Sequence, residues 1–291
     1  MLPLDELQLW QKLDSAYGDA ETLPELILTL TKTEDSDVAD EIVWEIIYHQ
    51  GSVYQSTLAT VPYLVKIAQE TTNVDLKMNL VLSLGTLLTG FDSTTDISVF
   101  FQDNSEAHNS NNNEGSTDKK TQQQITTAFM QAIVDFKALV NDTFTMATAL
   151  DDVSKIYFLV SYLVSMGQHQ AAALFNVCSD SDEFIVACPN CEQETYLWNE
   201  EDGLKVYKTD PVCTNIDYST DIELSNSDSN SNLVWLENAI DRIEIETLKP
   251  LMPYFKGSII CPHCQQSILV FHGLLNAYGS SYPPCPHEPK W

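Results

Sequence analysis

Two short stretches, Cys188-Pro189-Asn190-Cys191 and Cys261-Pro262-His263-Cys264, decide how the C-terminal part of this chain folds. In each stretch the two-residue gap between cysteines lets the chain turn back, so that both sulfurs and the intervening amides point at one cation. The proline restricts the turn. Two such knuckles supply the four thiolates of a tetrahedral zinc site. The sequence therefore predicts one Zn²⁺ held by Cys188, Cys191, Cys261 and Cys264.

Four sulfur ligands leave no open coordination position, so the predicted zinc is structural rather than catalytic. Disulfides are disfavoured because the chain has seven cysteines, an odd number, with two close pairs among them. Cys285 and His287 could supply two further ligands, together with Cys213 or His272, but no spacing indicates which residue would be the fourth. A second metal site therefore stays an open alternative.

Short β-prone runs lie on both sides of each knuckle, as in a zinc ribbon. About 70 residues separate the knuckles, whereas a simple ribbon has roughly 15 to 20, so an insertion must be looped out. Within the insertion, residues 233–248 have helical spacing, and a loop at about 219–232 is predicted to be disordered because it has few apolar residues. The predicted module, a split four-cysteine ribbon, covers residues 181–291.

Residues 1–180 are predicted to be a helical domain. Amphipathic spacing recurs along it, for example in the helix that carries Ile42, Val43 and Ile47, and the connections between helices are short. Short connections favour stacked antiparallel pairs, the arrangement of an α-solenoid. Residues 102–124 are predicted to form a flexible insertion because they contain almost nothing to bury. The predicted fold is mainly α, with a small β-rich module at its end.

The segment His49-Gln50-Gly51-Ser52-Val53-Tyr54 resembles a block found in bacterial HEAT-repeat proteins of uncharacterised function. The resemblance implies a HEAT-like solenoid and transfers no catalytic residue. In the local interpretation His49 ends a helix and Gly51 stops it, with the imidazole complementing the helix dipole. A base, nucleophile and acid arrangement of His49, Ser52 and Tyr54 is the less favoured alternative. We expect His49, Gln50, Ser52 and Tyr54 to form a partner-contact loop.

The chain is strongly acidic, with 42 Asp and Glu against 14 Lys and Arg and a formal net charge of −28. Nucleic acid and anionic membrane surfaces are disfavoured as partners, because phosphate groups are bound by basic patches and the chain has one arginine, Arg242. A basic protein is the natural alternative, although acidity also serves solubility. The start of the chain lacks a basic, apolar leader, and its longest apolar run, residues 157–164, is far short of roughly 20 residues, which predicts a cytoplasmic protein.

These observations predict a non-enzymatic protein–protein interaction scaffold with a structural zinc site. Three alternatives remain open at this stage. The first is an acidic, immunity-type inhibitor of a basic toxin, and the second is a zinc-ribbon adaptor for nucleic acid. The third is an unrecognised hydrolase, in which carboxylates distant in sequence would converge.

Overall fold

The computed structural model describes residues 1–91, 95–101, 117–177, 183–213, 219–224 and 233–278. Helices predominate among these residues, and a small antiparallel β region follows them, which confirms the predicted mainly α class. The described residues divide into two compact units. Among the described residues the first comprises those of Met1–Thr143 with Ser165–Gly167, and the second comprises Phe144–Val164 with those between Gln168 and Tyr278. Within these ranges every helix is too short or too polar to cross a bilayer.

The first unit contains five main helices and two small hairpins. In chain order its elements are α1 (Leu7–Trp10), β1 (Asp14–Ser15), β2 (Gly18–Asp19), α2 (Leu23–Thr33), α3 (Ser36–Asp40) with a π-helical continuation (Glu41–Ile47), β3 (Tyr48–His49), β4 (Ser52–Val53), α4 (Gln55–Glu70), α5 (Val74–Leu88), a 3₁₀-helix (Ile97–Phe101) and most of α6 (Lys119–Ala147). Helix α2 packs against α4 and α3 packs against α5, so two consecutive helix pairs lie side by side. Fully buried residues such as Trp10, Leu30 and Leu58 form their shared core.

Helix α6 begins inside the segment predicted to be a flexible insertion, which corrects that prediction for its last residues. The carboxylate of Asp118 accepts hydrogen bonds from the backbone amides of Lys120 and Thr121, at 2.9 and 3.1 Å. This cap, together with the buried side chain of Ile125, organises a polar stretch that has little apolar surface of its own. The remainder of the predicted insertion, residues 102–116, lies outside the described residues.

The partner-contact loop is a β-hairpin rather than a helix end, so the local interpretation of His49 is wrong. Tyr48 pairs with Val53 and His49 pairs with Ser52 across a two-residue turn. The turn residues Gln50 and Gly51 have φ values of 48° and 82°. Tight hairpin turns of the I′ type require a positive φ at both central positions, and glycine reaches it without strain. Gly51 therefore closes a hairpin instead of stopping a helix.

The second unit combines helices with two small sheets. In chain order its elements are α7 (Asp152–Ser165), α8 (His169–Val177), β5 (Glu183–Ala187), β6 (Glu194–Glu200), β7 (Gly203–Tyr207), β8 (Thr220–Asp221), α9 (Val234–Ile243), a 3₁₀-helix (Lys249–Leu251), α10 (Met252–Phe255), β9 (Ser258–Ile260), β10 (Ser267–Leu269) and α11 (Val270–Tyr278). One antiparallel sheet has the order β5-β6-β7-β8, and β9 pairs with β10 in the other. Glu223 and Ser258 exchange two backbone hydrogen bonds of 2.9 Å, which join the chain after β8 to β9.

The loop predicted to be disordered at about 219–232 is therefore partly ordered. Residues 219–224 contain β8 and the bridge at Glu223, because backbone pairing with neighbouring strands compensates for their polar side chains. Residues 225–232 lie outside the described residues. The predicted helical spacing after this loop corresponds to α9.

Helices α7 and α8 belong to the same unit as the strands, so the observed division differs from the boundary predicted near residue 180. Aromatic packing explains why α8 lies with the strands. The ring of Phe255 contacts those of Phe175 in α8, Phe184 in β5 and Phe271 in α11, with centroids 6.4, 5.5 and 6.4 Å apart. Phe175, Phe255 and Phe184 are almost fully buried. Aromatic side chains bury more apolar area than other types, so this cluster dominates the local core.

Candidate metal centre

The first knuckle is the six-residue connection between β5 and β6. Ala187 pairs with Glu194, and the chain between them turns through Cys188 and Cys191. The amide of Cys188 donates to the carbonyl of Gln193 at 3.0 Å, and the amide of Glu192 donates to the carbonyl of Cys188 at 2.9 Å. Glu192 has a φ of 60°. These bonds fold the loop so tightly that both cysteines face one side.

The second knuckle repeats this geometry between β9 and β10. Ile260 pairs with Ser267 across another six-residue connection. The amide of Cys261 donates to the carbonyl of Gln266 at 2.8 Å, and the amide of Gln265 donates to the carbonyl of Cys261 at 2.9 Å. Gln265 has a φ of 63°, which matches the equivalent residue of the first knuckle. The two knuckles are therefore local copies of one turn, although they share no sheet.

The structure brings the four predicted cysteines together. The Sγ atoms of Cys188 and Cys264 are 3.7 Å apart, those of Cys191 and Cys261 are 3.8 Å apart, and all four lie within 4.8 Å of one another. A disulfide requires about 2.05 Å, so these sulfurs are not bonded in pairs. A tetrahedron with metal–sulfur bonds of about 2.3 Å has edges of about 3.8 Å. These two separations match the edge of such a tetrahedron, and the cluster is compatible with a four-thiolate metal site.

The thiols of the cluster differ in acidity. The backbone amide of Gln266, helped by the side-chain amide of Asn190, lowers the pKa of Cys264 to about 6. The amide of Gln193 would also lower the pKa of Cys191, but desolvation and the three neighbouring thiols raise it to about 12. One thiolate is therefore favoured and a second beside it is disfavoured, because like charges at this distance repel. A divalent cation removes that repulsion and allows all four to ionise.

The residues between the cysteines have different partners in the two knuckles. In the first, the Nδ2 amide of Asn190 donates to the Sγ of Cys264 in the opposite knuckle, at 3.5 Å. In the second, the Nε2 of His263 lies 3.1 Å from the carbonyl oxygen of Glu194. The His263 side chain therefore contacts backbone rather than a sulfur. The role of Asn190 was not predicted, because nothing in its own knuckle shows which sulfur it would reach.

Replacing Asn190 by alanine is expected to weaken metal binding about ten-fold, since outer-shell hydrogen bonds to ligands commonly contribute this much. The matched control is His263→Ala, the equivalent position of the second knuckle, whose side chain contacts a carbonyl rather than a sulfur. Its affinity is expected to stay within about two-fold of the parent. Competition with a chromophoric chelator measures both. Equal losses in the two variants would show that the Asn190 bond contributes nothing specific.

No protein-family model, curated protein or solved structure matches this chain. The HEAT resemblance of the first unit therefore stays a prediction. Among the described residues, the four cysteines form the one group of three or more His, Cys, Asp or Glu side chains that lie close enough together to hold a metal ion.

The alternative second metal site gains no support from its described members. The Sγ of Cys213 donates to the Oδ2 of Asp210 at 3.1 Å, and that hydrogen bond, together with the negative charge, raises the pKa of the Cys213 thiol. His272 is exposed on α11. Cys285 and His287 lie outside the described residues, so that site remains untested as a prediction.

The predicted partner-contact loop has a neighbour that the sequence did not reveal. The hydroxyl of Tyr17, in the turn of the β1–β2 hairpin, lies 3.1 Å from the Nε2 of His49, and the two ring centroids are 5.1 Å apart. The amide of Ala16 donates to the carbonyl of Ile46 at 3.0 Å, which holds this hairpin in place. The His49 ring thus pairs with a tyrosine 32 residues away. Tyr54 precedes α4, and its amide donates to the Oγ1 of Thr57 at 2.8 Å.

Proposed function

We propose that this chain is a non-enzymatic protein–protein interaction scaffold whose second unit is built around a structural Zn²⁺. The observation that carries the zinc assignment is the pair of sulfur separations across the knuckles, 3.7 and 3.8 Å. Thiolate is a soft ligand that favours zinc or iron over magnesium and calcium. A site with four thiolates keeps no position for water or substrate, so its metal serves folding.

A HEAT-like α-solenoid is the proposed arrangement of the first unit. Its support is the packing of α2 on α4 and of α3 on α5, which places one helix pair against the next. Repeats of this kind bury a continuous core between neighbours and present an extended surface to partners. The short connection between α4 and α5, three residues, is typical of such pairs.

A basic protein is the proposed partner, because the net charge of −28 would speed association with it and would oppose binding to nucleic acid. An immunity-type inhibitor that neutralises a basic toxin is a narrower form of the same proposal. In both forms binding weakens as salt rises, since exposed charges are screened within about 8 Å at physiological ionic strength.

The metal half of the proposal is tested by elemental analysis of protein purified without chelators. One zinc per chain is expected. Replacing it with Co²⁺ should produce the visible absorption of a tetrahedral thiolate site, which depends on the four cysteines. An octahedral Co²⁺ spectrum, or less than a tenth of an equivalent of metal, would contradict the assignment.

The interaction half is tested by affinity capture from the source organism at low and high salt, followed by mass spectrometry. The expected result is one recurrent protein, rich in lysine and arginine, that is lost at high salt. An unrelated acidic protein of similar net charge, immobilised on the same resin, controls for nonspecific ion exchange. The scaffold proposal would be withdrawn if nothing were retained under either condition beyond what this control retains.

A further inference from the structure

One exposed side of α3 and its π-helical continuation carries an indole among carboxylates, beside the half-buried ring of Tyr48 in β3. We call it the aromatic–acidic face and define it by Asp37, Glu41, Trp44, Glu45 and Tyr48. Trp44 as a residue is 36% exposed, a large fraction for the largest apolar residue type. Its centroid lies 5.7 Å from that of Tyr48, in an edge-to-face arrangement. The three carboxylate residues are exposed.

The helix that carries this face is anchored by its opposite side. Ile42, Val43 and Ile47 are fully or almost fully buried. The step of four residues from Glu41 to Glu45 keeps these two carboxylates on the same side of the helix. Tyr48, the first residue of β3, follows directly after the last turn. Residues Glu41–Ile47 are π-helical, a rare geometry that is frequent at functional sites. The aromatic–acidic face therefore lies on a helix that is packed into the core rather than on an exposed loop.

The charges of this face are unbalanced. Residues 34–45 contain six acidic side chains and no basic one. Within the described part of the chain, none of the carboxylates of Asp37, Glu41 and Glu45 forms an ion pair. Like charges four residues apart on a helix, as in Glu41 and Glu45, destabilise it slightly. Internal stability thus does not account for the combination of an exposed indole and neighbouring free carboxylates.

We propose that the aromatic–acidic face docks an arginine- or lysine-bearing segment of a partner protein. Indole is the aromatic ring that attracts cations best, and guanidinium groups also stack on it. Carboxylates beside the ring supply the counter-charge and bidentate acceptors for a guanidinium. The Tyr48 ring meets the indole at an interplanar angle of 71°. This inference rests on the proposed interaction function and names the surface that performs it.

The test uses the full-length chain labelled with ¹⁵N and an acetylated, amidated tri-arginine peptide as the probe. The chain has five tryptophans, and the indole signal of Trp44 is assigned by its loss in Trp44→Phe. During titration the Trp44 signal is expected to shift most and to saturate, while the other assigned indole signals serve as internal references. Tri-lysine should bind more weakly than tri-arginine, because it lacks the planar group that stacks on indole.

Two double variants distinguish binding of tri-arginine at the aromatic–acidic face from its general electrostatic attraction to an acidic protein. Glu41→Gln with Glu45→Gln is expected to raise the Kd for tri-arginine about five-fold. Asp5→Asn with Glu6→Gln removes the same charge at exposed positions elsewhere in the first unit and is expected to change the Kd less than about two-fold. Both pairs are surface substitutions, and an unchanged remainder of the spectrum verifies that each variant is folded.

Equal losses in the two double variants, or an unmoved Trp44 signal, would overturn the proposed face. Neither result would contradict the scaffold function, because salt-sensitive capture of a basic partner could still occur elsewhere on the chain. Conversely, failure to capture any partner while Trp44 binds tri-arginine would count against the scaffold function and leave the cation-binding face standing. Sedimentation at the same concentrations tests for self-association. If the chain self-associated and Trp44→Phe abolished this, the occupant of the face would be a second copy of the chain, and the proposal would be overturned.

Discussion

Cys261→Ser is expected to abolish stoichiometric metal binding and to unfold the β region of the second unit. Cys261 is fully buried, and its sulfur lies 3.8 Å from that of Cys191, so the substitution removes one vertex of the tetrahedron. Structural zinc contributes on the order of 10 kcal/mol to the folding of small modules. Strand β9 has three residues, as does its partner β10, and a two-stranded hairpin of that size is not stable alone. Hydrogen exchange of β5, β6, β9 and β10 amides measures the loss.

The matched control is Cys213→Ser, a cysteine of the same unit that lies outside the cluster and is exposed. It is expected to keep one equivalent of metal and the parent exchange pattern. Amides of α4 and α5, in the first unit, provide an internal reference for global unfolding. Treatment of the parent protein with a strong chelator should reproduce the exchange pattern of Cys261→Ser. If the strands stayed protected after complete metal removal, the metal would not be structural.

Gly273→Ala is expected to lower the free energy of unfolding of the second unit by about 2 kcal/mol. Gly273 is buried in α11 where the helix approaches β5. A Cβ added at Gly273 would lie 2.3 Å from the Cγ1 of Val186 and 3.2 Å from the Cγ2 of Ile268. Alanine normally favours a helix over glycine by roughly 1 kcal/mol, so a net loss would show that the close approach outweighs helix propensity. Denaturant unfolding of the metal-loaded protein measures it.

Asn276→Ala, at an exposed position of the same helix, controls for the general effect of alanine in α11. Its unfolding free energy is expected to stay within about 0.5 kcal/mol of the parent. Val186→Ala removes the methyl that the new Cβ would meet, so the double variant Val186→Ala/Gly273→Ala should be more stable than the two single losses predict. Strict additivity would show that the two positions do not touch and that α11 lies farther from β5.

Several features followed from the sequence because they depend on neighbours along the chain. Helical periodicity predicted a mainly α protein, and the segment that carries Ile42, Val43 and Ile47 is indeed buried on one side. The Cys-Pro-x-Cys spacing and its β-prone flanks predicted both knuckle turns, since six consecutive residues contain every hydrogen bond that closes them. The meeting of the two distant knuckles was also predictable, because zinc takes four ligands and each knuckle supplies two cysteines.

Other sequence predictions failed although the deciding contacts are local, because the same residue types are compatible with two backbone conformations. The sequence around Gln50 and Gly51 predicts a helix end, because a glycine with positive φ serves both a helix stop and a hairpin turn. Pairing of His49 with Ser52 distinguishes the two. The polar composition at the start of α6 likewise predicts an insertion, although Asp118 caps a helix there.

What the sequence determined by itself is the local chemistry: four thiols in two turns, a helical N-terminal part, and an excess of negative charge. Tertiary structure alone decided that Cys188 faces Cys264, that Asn190 reaches across to the opposite knuckle, and that Val186 leaves no room beside Gly273. It also decided that Trp44 faces outward among carboxylates. The physical reason is distance along the chain: spacing and periodicity describe what one segment can do, whereas these contacts depend on how segments tens of residues apart pack together.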